Sequence, residues 1–334
     1  MTKNKETCVL CSRVELTRNL KHYPFPSLLS EELLDKLLHE LRYIFDSPKI
    51  KAEYDLLWSN GKDLGNAQQM QLQLQNGFQH KKYEDAFYQM AEDPQKNLIL
   101  FLGAGDHIQM KKSKWGLTLD VLWEEMSYLD DLIDASSEYA FDPDLGYLTS
   151  HVTDVGTGMH ASVLMHLPAL KESGLIDDIN QAAGQLGLTV TGLSDQVLRG
   201  AGAFYRIKNH VTIGRSEWEM IDTVTEISRQ IARKENEALE TIYISNRLEV
   251  EDKISRAMGI LSSAKLMGRG EFLDLISSVR MGIRLKLIQD RALSDIDALI
   301  FNTSAGTLQL ESGKGLSALE LKSRRADVCR RFFK

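Results

Sequence analysis

The sequence predicts an α+β body followed by a smaller all-helical part. Three observations carry this. Asn97–Leu102 (NLILFL) is a short apolar run of the kind that forms a buried strand. Thr118–Ser136 places Leu119, Leu122, Met126, Leu129 and Ile133 at three- and four-residue spacing, with Asp and Glu opposite, which is an amphipathic helix. From about Arg247 to Lys334 the pattern is helix after helix, joined by short turns containing Gly or Ser.

In chain order, Ser30, Glu31 and Glu32 supply a cap and first-turn acids ahead of Leu33, Leu34, Leu37 and Leu38, so a helix starts there. Asn60–Gln79, rich in Gln, Asn and Gly, reads as a loop. Tyr147–Thr149, Leu188–Leu193 and Phe204–Ile213 read as further strands, the last alternating Tyr205, Ile207, Asn209 and Val211. Ser216-Glu217-Trp218-Glu219 is a capping box that opens a long helix with Ile221, Val224, Ile227 and Ile231 on one face. We divide the chain into residues 1–245 and a helical domain of residues 246–334.

The 334 residues, 43% hydrophobic and 26% charged, can bury a large core in one or two domains. The net charge of -7 argues against nucleic-acid and anionic-membrane partners. No apolar run has the length of a signal peptide or a membrane span, so the expectation is a cytoplasmic protein. Three cysteines, Cys8, Cys11 and Cys329, fit a reducing compartment. Cys8 and Cys11 form a CxxC with no second pair to complete a zinc site; they read as small, partly buried side chains or as a redox pair.

Four separated segments carry a family resemblance. Cys11–Leu20 (CSRVELTRNL) is similar to S-S-R-(I/V)-R-L-A-R-N-(L/F), and Gly103–Gln109 (GAGDHIQ) to N-E-E-D-H-(L/I)-R. Tyr147–Leu170 (YLTSHVTDVGTGMHASVLMHLPAL) is similar to Y-L-T-S-C-P-T-N-(L/V)-G-T-G-L-R-A-S-V-M-(L/M)-H-L-P-A-L, and Tyr205–Glu217 (YRIKNHVTIGRSE) to F-Q-I-S-N-Q-(V/I)-T-L-G-(K/Q)-S-E. Order and spacing agree, and the chain resembles the phosphagen kinases over roughly Cys8–Glu219. The first motif begins after about eight residues and helices follow the last, as in the bacterial protein-arginine kinases. The resemblance implies an antiparallel sheet flanked by helices, then an all-helical C-terminal domain. It also implies a homodimer, and as partners a cysteine-rich zinc-binding adaptor and a Clp-type AAA+ unfoldase.

Phosphoryl transfer from ATP to a guanidinium needs cations on the phosphates, bridging Mg²⁺ and a carboxylate that orients the guanidinium and takes its proton. In the resembled family five arginines supply the grip. Arg13 matches the first; Glu15, Gln109, His160 and Thr191 stand at the other four. Each charge-assisted hydrogen bond contributes about 1.5–3 kcal/mol. Four losses therefore approach the total of about 8 kcal/mol that micromolar binding represents. At the catalytic positions, Ala104 and Gly105 replace two glutamates, Gln196 and Arg199 replace the acids of a G-E-G-S-E loop, and His151 replaces a reactive cysteine.

Asp106, His107, Gly156, Thr157, Gly158, His166, Pro168, Asn209 and Gly214 keep the family's residues. His107 and His166 read as structural residues or as site-lining ones, His107 at the nucleotide. A family phosphoarginine-reading motif, R-D-V-R-R-A, falls on Leu321–Ala326 without its Arg-Asp pair, leaving Arg324, Arg325, Arg330 and Arg331 as a basic cluster. The expectation is a catalytically degenerate kinase relative, a regulatory scaffold in a Clp protease stress-response system, with no cofactor. The alternative is an active ATP- and Mg²⁺-dependent protein-arginine kinase with a rebuilt site using His107, His151, His160 and Asp154, for which the sequence offers no four replacement cations. A third reading gives the cleft another ligand, with His151 and His160 near Asp154 as metal ligands or simple space-fillers.

Overall fold

The computed structural model describes residues 7–63, 89–193 and 200–334. Its centre is an eight-stranded, wholly antiparallel sheet. The strands are β1 (Val9–Arg18), β2 (Leu57–Asn60), β3 (Gln89–Asp93), β4 (Leu98–Leu102), β5 (Ile108–Trp115), β8 (Met159–His166), β9 (Leu188–Gly192) and β10 (Phe204–Asn209). A separate two-residue pair joins β6 (Phe141–Asp142) to β7 (Gly146–Tyr147). The sheet order is β2-β3-β4-β5-β1-β8-β10-β9, so β1 is central. The expected strands at Asn97, Leu188 and Phe204 are present, the last ending at Asn209; Tyr147–Thr149 keeps only Tyr147 in a strand. Asn60 ends β2, and most of the expected loop to Gln79 lies outside the described residues.

One face of the sheet is packed by helices. These are α1 (Glu31–Phe45), α3 (Leu119–Asp134) and α6 (Glu217–Ser245), with α2 (Pro48–Glu53) beside them. Ser30 accepts from Leu33 N–H to start α1, and Ser216 and Glu219 exchange bonds in a capping box to start α6. Val14, Leu16, Met110, Ala161, Val163 and Ile207 point into this core, where they meet Leu41, Leu122, Met126 and Val224. Arg18 also points there. Its guanidinium is bonded to Asp130 at 2.7 Å and lies 3.6 Å from the centre of the Tyr147 ring.

Short helices α4 (Pro168–Glu172) and α5 (Ile176–Gly184) connect β8 to β9. The rest is helical: α7 (Arg247–Ser263), α8 (Arg269–Arg284), α9 (Leu293–Asn302), α10 (Ala305–Ser312) and α11 (Ala318–Phe333). Phe272, Leu273 and Ile276 of α8 cluster with Leu10, Leu164 and Phe204, so these helices close one end of the second sheet face. Gly202 permits the approach: its φ is +68°, and a Cβ there would stand 2.5 Å from the Leu273 carbonyl oxygen. Among the described residues no helix is long and apolar enough to cross a membrane.

Two buried ion pairs fasten α8. Arg280 holds Asp297 of α9 through two bonds of 2.7 and 3.1 Å. Arg284 meets Glu235 of α6 at 3.1 Å, and Glu235 also accepts the Ala169 and Leu170 N–H groups at the start of α4. Burial raises the Glu235 carboxyl in spite of these donors. Breaking a buried pair strands the remaining charge at a cost of about 3–5 kcal/mol. Asp297→Ala is therefore expected to destabilise by that amount in urea denaturation, and pairing Arg280→Met with Asp297→Leu to recover most of it. A single-variant loss below about 1 kcal/mol, the range of an exposed pair, would contradict this account.

Candidate functional site

Alternation along the strands sends the remaining side chains to the face opposite the helical core. Register arranges them in rows. One row runs Lys111 on β5, Glu15 on β1 and His160 on β8. The next runs Ser113, Arg13, Ser162, Lys208 and Thr189. A third carries Trp115, Cys11, Leu164, Arg206 and Thr191 and borders the helices that close the face. Directly opposed residues stand about 4.5–5.5 Å apart and diagonal neighbours about 7–8 Å, so charges within a row are closely coupled and long side chains reach the next row.

Glu15 sits among cations. Its carboxylate is 3.6 Å from Arg13 Nη1 and 3.6 Å from Lys111 Nζ. Burial alone would raise its carboxyl; Lys111, Lys208, Arg13 and His160 together hold it well below the ordinary carboxylate range. Burial pushes Lys111 down to about 8, with Glu15 offsetting only part of the effect. Arg206, which donates to Ser162 Oγ at 3.1 Å, is pushed down to about 10 by burial and by Arg13. His160 Nε2 is 2.9 Å from Asp154 Oδ1, and its Nδ1 is 3.3 Å from the Asn209 carbonyl. Burial would raise the Asp154 carboxyl, yet the His160 contact keeps it low.

The structure thus brings Arg13, Glu15 and His160 together. Gln109 lies further along β5, opposite Thr17 and Phe101, and Thr191 is exposed beside Arg206. The sequence offers no four replacement cations, and the register brings three, Lys111, Arg206 and Lys208, onto the face that carries Arg13. The alternation of Tyr205, Ile207 and Asn209 that marked β10 held the signal, because it places Arg206 and Lys208 on the opposite side of that strand.

Other expected residues have different surroundings. Gly105 lies in the turn between β4 and β5, and Ala104 packs with Met90 and Phe101. Asp106, fully buried, accepts from Asn19 Nδ2 and the Ser150 N–H, each at 2.7 Å. His107 Nδ1 accepts from Leu20 N–H at 3.0 Å, which leaves Nε2 to donate to the Pro24 carbonyl at 2.9 Å; burial lowers its pKa. His166 is buried against Ser277 and Arg280. His151 is exposed at the start of a short 3-10 turn. Gln196 and Arg199 lie outside the described residues.

Among the described residues no three His, Cys, Asp or Glu side chains gather closely enough to hold a metal. Burial raises the Cys8 thiol to about 11 and raises Cys11 as well, which disfavours the thiolate that redox exchange needs. In the basic cluster, Arg325 donates to the Thr303 and Met267 carbonyls, and Arg330 contacts the Ala264 carbonyl and Asp327.

Depressed carboxyls such as Glu15 and Asp154 contribute stability above the unfolded pKa of about 4 that is lost as pH falls toward the folded value. Glu15→Gln is therefore expected to flatten the decline in urea midpoint between about pH 4 and pH 2. An acid limb identical to that of the parent chain would uncouple Glu15 from the surrounding cations.

Comparison with known proteins places this geometry. Residues 22–238 match the family model for the ATP:guanido phosphotransferase C-terminal catalytic domain, and residues 247–334 that for the protein-arginine kinase McsB C-terminal domain. The chain is 33% identical to the protein-arginine kinase of Clostridium acetobutylicum, covering 95% of this chain and 94% of that one. It is 34% identical to that of Caldanaerobacter subterraneus, covering 98% and 97%. A lombricine kinase crystal structure shares the fold at a TM-score of 0.60 and 18% identity, covering 70% of this chain and 67% of that one. The duplicated taurocyamine kinase of Schistosoma mansoni does so at 0.60 and 18%, covering 68% of this chain and 33% of that one. With an antiparallel catalytic sheet, a matching helical C-terminus and near full-length similarity, the chain belongs to the ATP:guanido phosphotransferase family, among the protein-arginine kinases.

Proposed function

We propose that this chain is a catalytically silent member of its family that works by binding proteins, as a regulatory scaffold in a Clp protease stress-response system. The observation that carries the reading is the turn at Gly105. Transfer to a guanidinium requires a carboxylate beside it to accept the proton. The family pattern has its second glutamate where Gly105 stands. The neighbouring acid, Asp106, is fully buried and committed to Asn19 and Ser150. Both donors hold its Oδ1 in the turn, and its Oδ2, though unpartnered among the described residues, is shut away from solvent, so the carboxylate does not face a bound substrate.

The charge pattern supports the same reading. Glu15 places a carboxylate where the family pattern has an arginine, and it lies 3.6 Å from both Arg13 and Lys111. A triphosphate approaching this row meets a negative charge already paired with the cations it would need. The partners that fit are those of the resembled family: a cysteine-rich zinc-binding adaptor, a Clp-type AAA+ unfoldase and a second copy of the chain in a homodimer. A second reading, an active protein-arginine kinase with a rebuilt site, is favoured by one observation, the cations Lys111, Arg206 and Lys208 on the sheet face that also carries His160, itself held by Asp154.

Calorimetry with ATP and Mg²⁺ separates the two. The silent reading expects no binding heat at millimolar ATP, with the chain alone or with the adaptor, and no phosphoarginine in mass spectra of incubated protein substrates. Micromolar ATP affinity accompanied by phosphoarginine would establish the rebuilt site instead.

A further inference from the structure

The polar face holds an imbalance of charge. Arg13, Lys111, Arg206 and Lys208 come from three strands onto adjoining rows. Ser162, buried at 3% exposure, is their hub: it pairs in register with Arg13 on one side and Lys208 on the other, and its Oγ accepts from Arg206 Nη1 at 3.1 Å. Within these three rows the one carboxylate among the described residues is Glu15, one step from the hub. Cations buried as deeply as Arg13 and Lys111 require a counter-charge, and a single carboxylate shared with the half-buried Arg206 and Lys208 neutralises only part of the set.

We propose that Glu15 is a built-in anion that takes the place of a ligand's phosphate on this face, and so is the residue that decides whether compact polyphosphates bind. With Glu15 in place, Arg13 and Lys111 face an internal carboxylate, and the face excludes further anions. Without it, Arg13, Arg206 and Lys208 around Ser162 form a site for a compact polyphosphate, pyrophosphate being the simplest probe. The isosteric Glu15→Gln keeps the strand and removes only the charge. The idea rests on the silent reading above, in that it explains why the unmodified face does not grip phosphates.

Three full-length proteins test it: the parent chain, Glu15→Gln, and Glu15→Gln combined with Arg206→Gln. Each is titrated with sodium pyrophosphate at constant ionic strength, by calorimetry and by thermal unfolding. The expected result is a gain of at least about tenfold in pyrophosphate affinity for Glu15→Gln over the parent, the equivalent of 1.4 kcal/mol. The gain should be accompanied by a larger ligand-induced rise in unfolding temperature, and Arg206→Gln should cancel it. A folded Glu15→Gln with parent-like affinity, or a gain that survives Arg206→Gln, overturns the proposal. If Glu15→Gln folds poorly because its cations repel one another, pyrophosphate added during refolding must restore it, and failure to do so also overturns the proposal. ATP-dependent arginine phosphorylation by the parent chain would refute the silent reading and this proposal together, whereas parent-like pyrophosphate affinity in Glu15→Gln without any phosphorylation overturns the proposal alone.

Discussion

Strand β1 is hydrogen-bonded along both edges, to β5 and to β8, and its two-residue alternation is the constraint on which the molecule rests. A slip of one residue would turn Val14 and Leu16 out of the core and drive Arg13 and Glu15 into it. Because two neighbours share that register, the core and the charged rows are set by the same hydrogen bonds. The apolar half of β1 holds the fold together, and the polar half arranges charge without contributing to the core.

The C-terminal helices depend on this division. They close the end of the polar face where its residues become apolar, at Leu10, Leu164 and Phe204. They are tied there by charge as well as by packing, since Arg280 and Arg284 on α8 reach Asp297 and Glu235. Arg280 Nη1 also stands 3.4 Å from His166 Nδ1 at the end of β8, and both cations help keep that buried imidazole neutral after burial itself. Trp115 at the end of β5 meets Phe301 of α9 edge to face, extending the contact to a second strand. The helices are therefore seated on the same strands that present Arg13, Lys111 and Lys208.

The helices were legible in the sequence because their signals are local. Ser30 and Ser216 cap the helices they announce, and the spacing of Leu119, Leu122 and Met126 identifies a buried stripe. The central strands β1, β5 and β8 do not read as strands: polar residues interrupt the core side of β1 and β5, and in β8 an apolar Leu164 on the opposite face blurs the alternation. Lys112 points into the core side of β5 and is satisfied by Glu125 at 2.8 Å. Arg18 does the same in β1 through Asp130, a partner 112 residues away. Such pairs are invisible until the chain is folded. For the same reason Lys111, Arg206 and Lys208 did not register as one group: their common face is a product of strand order, which no single segment encodes.

Scaffold and chemistry can change independently here because they occupy different groups. Asn209 donates to the Met159 carbonyl and accepts from Ala161 N–H, holding β10 to β8 across the end of the sheet. Gly156, at a φ of +114°, lets the chain pass where a Cβ would stand 2.3 Å from the Thr212 carbonyl oxygen. Asp106 and Asn19 bond each other as well as the Ser150 and His107 N–H groups, fixing the turn that carries Gly105. These residues keep the family pattern, and each satisfies backbone groups that would otherwise be buried unpaired. Glu15, His160 and Gln109 depart from it on a face whose side chains the helical core does not need. Substitutions there alter the field of that face without loosening the sheet, provided each new group finds a partner. Lys111 answers Glu15 across one strand pair, and Asp154 answers His160.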